Sequence, residues 1–101
     1  MPFTKVATLS EIQPGMGKQV DVGGRKIALF NIEGKVFAID DTCTHRGGPL
    51  HEGTVANGVV TCPWHGAQFD LATGNVVSPP ARTGEKSYPV QIVGDEVQID
   101  A

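Results

Sequence analysis

The chain has 101 residues, 40% of them hydrophobic and 19% charged, with a net charge of -3, which suits one domain with a modest core. Eight Lys and Arg are scattered along it without a basic patch, which excludes nucleic acid as the partner and favours another protein. No apolar run approaches a membrane span and the N-terminal segment has no stretch suited to a signal peptide, so the expectation is a soluble cytoplasmic protein. In that compartment its two cysteines are thiolate ligands rather than a disulfide.

Thirteen glycines and seven prolines are spread between short apolar runs, a composition of many turns rather than of disorder. Residues 3–8 and 18–22 read as strands, and the segment 9–15 has room for one helical turn before Pro14 and Gly15 stop it. Gly23 and Gly24 mark a turn. Residues 25–32 and 35–40 flank Glu33 and Gly34, a two-residue hairpin connection. In that register Ala28 and Phe30 share a face with Phe37 and Ile39, while Ile27 and Leu29 share the other with Val36 and Ala38. Both faces are apolar, so this hairpin is central.

From about 41 to 80 the character changes to loops rich in Gly and Pro around a short hairpin, 53–61, turning at Asn57 and Gly58. Thr73 and Gly74 form another turn. At the C-terminal end Gly94 and Asp95 join 87–93 to 96–100, placing Val90 and Ile92 opposite Ile99 and Val97 on one face that covers the core from one side. Periodicity alone therefore predicts an all-β chain of short strands and turns.

The chemistry is carried by two loops at the ends of the 53–61 hairpin. One holds Cys43 and His45 in the pattern C-x-H; sixteen residues on, the other holds Cys62 and His65 as C-x-x-H. Together they contain both cysteines and two of the three histidines, and such a set points to metal. A structural zinc site more often pairs Cys with Cys and His with His, whereas mixed pairs suit a two-iron cluster, although a Cys2His2 zinc module for protein binding uses the same donors. The alternative, buried thiols and surface imidazoles, requires both spacings to arise by accident. His51, close to the first loop, is read as a surface residue or one that supports the ligands. Trp64 either shields the site, faces a partner or simply packs.

The strings D-T-C-T-H-R-G-G-P-L at 41–50 and C-P-W-H-G-A-Q-F-D at 62–70, followed by T-G and S-P-P, resemble the Rieske 2Fe-2S proteins over nearly the whole chain. The resemblance implies one Rieske-type 2Fe-2S cluster, with Cys43 and Cys62 on one iron and His45 and His65 on the other. It also implies a β-sandwich or barrel in which a small cluster-binding lobe, about 41–80, is inserted into a basal β domain formed by 1–40 and 81–101, all of it one domain, 1–101. Gly47, Gly48 and Gly66 would let backbone N–H groups approach sulfur, and the proline segment after Ser78 would cover the cluster as a stiff lid.

Two departures matter. Gly48 and Trp64 stand where the respiratory-complex type has an extra cysteine pair stapling the loops, and this chain also lacks the membrane anchor of that type. Ala67 and Phe69 stand where it has a serine and a tyrosine whose hydroxyls bond to sulfur. Fewer donors stabilise the reduced cluster less, so the potential is expected toward the low end of the known Rieske range of about -150 to +300 mV. The chain is most similar to the small Rieske ferredoxins of bacterial aromatic-ring dioxygenase systems. That likeness implies an electron carrier, not an enzyme by itself, between a flavin-dependent NAD(P)H reductase and a terminal oxygenase. A Rieske-like small subunit of an assimilatory nitrite reductase is the alternative within redox chemistry.

Overall fold

The computed structural model describes residues 3–32, 35–42, 48–64, 66–78 and 84–100. In chain order the strands are β1 (Thr4–Thr8), β2 (Gly17–Val22), β3 (Arg25–Ile32), β4 (Lys35–Asp40), β5 (Thr54–Ala56), β6 (Val59–Thr61), β7 (Gln68–Asp70), β8 (Val76–Ser78), β9 (Ser87–Tyr88), β10 (Val90–Val93) and β11 (Glu96–Ile99). They form three antiparallel sheets, ordered β1-β11-β10, β2-β3-β4-β9 and β5-β6-β7-β8. Helical turns occur at Leu9–Glu11 and Leu50–Glu52, and among the described residues no helix is long and apolar enough to cross a membrane.

The central hairpin has the expected register, with Ala28 opposite Ile39, Phe30 opposite Phe37 and Ile32 opposite Lys35; Glu33 and Gly34 lie outside the described residues. Because both of its faces are apolar it separates two cores. On one side Ala28, Phe30 and Ile39 pack against Leu50, Val60, Cys62, Ala67, Phe69 and Leu71 from the segment between β4 and β9. On the other, Ile27, Leu29, Val36 and Ala38 meet Ala7, Ile12, Tyr88, Val97 and Ile99. Burial of these side chains is the main favourable term holding the three sheets together.

Turn chemistry sets the remaining registers. Asn57 and Gly58 take φ of 54° and 74°, the left-handed pair that a two-residue hairpin needs, and Ala56 faces Val59 across the turn. The C-terminal hairpin pairs Val90 with Ile99 and Ile92 with Val97, as its alternation predicts. One element differs. The segment 87–93 is not one strand: β9 pairs with β4, whereas β10 pairs with β11 in another sheet. The break falls at Pro89, which has no N–H to continue a ladder, so the chain changes sheets there.

Candidate metal centre

The first ligand loop rises from a closed base. Thr42 and Pro49 form an antiparallel bridge, and the Leu50 N–H donates to the Asp41 carbonyl at 2.8 Å. The buried Asp41 carboxylate reinforces that closure by accepting from the His51 backbone N–H at 2.7 Å, from His51 Nδ1 at 2.9 Å and from Gln19 Nε2. A carboxylate only accepts, so the Nδ1 proton belongs to His51. His51 thus supports the base of the loop. Cys43, His45, Arg46 and Gly47 lie outside the described residues.

The second loop is a tight turn built on β6 and β7. The Cys62 N–H donates to the Ala67 carbonyl at 2.7 Å, and the Gly66 N–H returns to the Cys62 carbonyl at 3.2 Å, with Gly66 at φ 79°. These bonds fix both ends of the C-x-x-H segment, although His65 itself lies outside the described residues. Cys62 is buried and belongs to the same apolar cluster as Ala67 and Phe69, while Trp64 is half exposed.

The two loops meet at Gly48. A methyl group placed on its Cα would stand 2.8 Å from Cys62 Sγ and 3.1 Å from Trp64 Cγ, so only glycine lets the first loop lie against the sulfur and indole of the second. Of the four expected ligands, the structure therefore describes Cys62 and places its sulfur at the junction of the two loops. A buried thiol at the meeting of the two loops is the kind of donor the expected cluster takes. The proline segment 79–83 lies outside the described residues. Its flanks are held by the Glu85 N–H donating to the Gly74 carbonyl at 2.7 Å, in a contact too close for any side chain on Gly74. The supporting carboxylate of Asp41 was not singled out from the sequence; an acidic residue two positions before a ligand cysteine was the available signal.

The profile of the Rieske [2Fe-2S] domain family matches residues 3–89. The chain belongs to the Rieske [2Fe-2S] family. The cofactor of this Rieske chain is therefore a [2Fe-2S] cluster rather than a single zinc ion. It is 42% identical to the biphenyl dioxygenase ferredoxin subunit of Pseudomonas sp. (strain KKS102) over 99% of this chain and 93% of that protein. Its structure superposes on the ferredoxin of carbazole 1,9a-dioxygenase from Nocardioides aromaticivorans IC177 with a TM-score of 0.93, 28% identity, and coverage of 98% and 97% of the two chains. A chain from a complex of reduced oxygenase and oxidized ferredoxin in carbazole 1,9a-dioxygenase matches with a TM-score of 0.88 at 34% identity, covering 96% of this chain and 91% of that one. A protein from Mycobacterium tuberculosis described as an NADH-dependent nitrite reductase small subunit superposes with a TM-score of 0.88, covering 97% and 93% of the chains. Its 24% identity shows the shared fold alone.

Proposed function

We propose that this Rieske chain is the ferredoxin component of an aromatic-ring dioxygenase system, a one-electron carrier from a flavin-dependent NAD(P)H reductase to a terminal oxygenase in the cytoplasm. The observation that carries the reading is its 42% identity to a dioxygenase ferredoxin subunit over 99% of its length. The curated relatives that match it along nearly all of its length are named ferredoxin components of dioxygenase systems, which supports a carrier and not an enzyme by itself.

Cys43 and Cys62 hold one iron and His45 and His65 the other, in a lobe of about 41–80 inserted into a basal domain made of 1–40 and 81–101. The closed base at Asp41 and the tight turn at Cys62 support this ligand set, since each fixes the stem of one loop. The bound cluster supplies a centre that takes up and releases one electron. The residues of the chain do the rest. Neutral imidazoles in place of two thiolates make the site less negative and raise its potential, while Ala67 and Phe69, both fully buried, offer no hydroxyl to sulfur and keep it low for its family.

The experiment is anaerobic purification followed by electron transfer. The expected product is brown, with two irons and two acid-labile sulfides per chain. It is reduced by an NADH-dependent ferredoxin reductase and reoxidised by a Rieske dioxygenase at one electron per chain. Colourless protein with stoichiometric zinc contradicts the cluster. A loaded protein that reduces a nitrite reductase and no dioxygenase contradicts the partner.

A further inference from the structure

Trp64 is half exposed, yet one side of its indole is committed. Its Cγ and Cδ2 approach the bare Cα of Gly48, where a methyl would stand 3.1 and 3.2 Å from them, and the same Cα faces Cys62 Sγ. Gly48 belongs to the first loop and Trp64 to the second. A half-exposed indole thus bridges the loops beside Cys62, which is buried, at 3% exposure. The glycine is required here by the close approach.

We propose that Trp64 is a positioning residue whose indole, seated on Gly48, clasps the two ligand loops together and keeps water from the Cys62 sulfur. This rests on the reading of Cys62 as a cluster ligand. Van der Waals contact with a flat ring holds the loops in register without a covalent bond, and excluding water removes hydrogen-bond donors from the thiolate. Water bonds favour the more negative, reduced state. Opening the clasp therefore raises the potential and loosens the cluster.

The test uses the loaded protein and three variants, Trp64→Ala, Trp64→Phe and Gly48→Ala. Trp64→Ala is expected to lose its cluster to a chelator about tenfold faster, the scale of losing part of a large ring's packing. Its midpoint potential shifts upward, which a merely structural role would not produce, and Trp64→Phe restores both values toward the wild type. Gly48→Ala pushes the indole outward. Because Trp64 is the one tryptophan of the chain, acrylamide quenching reports that ring alone, and quenching rises toward that of free tryptophan. Wild-type retention and potential in Trp64→Ala, or unchanged quenching in Gly48→Ala, overturns the clasp. Wild-type protein without iron overturns the ligand reading instead, and the clasp is then decided by the Gly48→Ala quenching.

Discussion

Asp41 shows how a single buried side chain prepares a site it does not itself occupy. Its carboxylate satisfies the His51 backbone N–H and ring and the Gln19 amide, so removing it takes a charged acceptor from donors of two elements. Asp41→Ala is expected to lower stability by about 3 kcal/mol, seen as a fall in the urea midpoint with little change in slope. An unchanged midpoint would show that the base of the loop is held by its backbone bonds alone. The sequence displayed the proposed metal donors because C-x-H and C-x-x-H are local spacings. It did not display the partner of His51, because a hydrogen bond across ten residues of irregular chain leaves no periodic trace. Gly48 was legible only as a loop glycine; that it abuts Cys62 Sγ depends on two loops meeting in space.

Among the elements, β9 ties the middle sheet together through Tyr88. Its hydroxyl donates to Asp40 Oδ1 on β4 and accepts from Arg25 Nη1 on β3 at 2.8 Å. Burial pushes the Tyr88 phenol above its ordinary value, the bond to Asp40 pushes it further, and Arg25 opposes both. A raised folded-state value means that the native protein keeps a proton the unfolded chain has lost. The associated stability is complete below the unfolded value of about 10 and is lost as pH rises through the folded one. Urea midpoints should therefore decline above about pH 10 in the wild type, and less steeply in Tyr88→Phe. The same variant loses about 1–2 kcal/mol at neutral pH through its two missing bonds. A second element-level test is Gly74→Ala. At φ 81°, with a methyl 2.0 Å from the Glu85 carbonyl oxygen, this change should cost about 3 kcal/mol or more, measured again in urea. The hairpins around Asn57 and Gly58 and around Gly94 were readable because turn type and alternation agree. The split between β9 and β10 was not, since a proline inside an apolar run marks a break without saying which sheet each half joins.

Across the whole molecule, the two apolar faces of the β3–β4 hairpin connect the fold to its function. One face anchors the sheet of β1, β10 and β11; the other forms a common core with Cys62, Ala67 and Phe69, so the site rests directly on the main hydrophobic framework. Two-sided apolar alternation made that hairpin's central place legible, whereas the proposed ligand set of the two loops required the family resemblance. Ala67 adjoins the cysteine turn and is fully buried, so a hydroxyl introduced there has little water to bond with. Ala67→Ser is expected to raise the midpoint potential by roughly several tens of millivolts, because a donor near sulfur stabilises the reduced state more than the oxidised one. Voltammetry giving an unchanged or lower value would contradict that placement of the loop. The central claim is the mixed ligand set itself. Its most direct test is pulsed electron paramagnetic resonance of the reduced protein labelled with 15N-histidine. The account predicts a low average g-value with couplings from two histidine nitrogens, both lost when His45 and His65 are replaced together; a reduced centre without histidine coupling would contradict it.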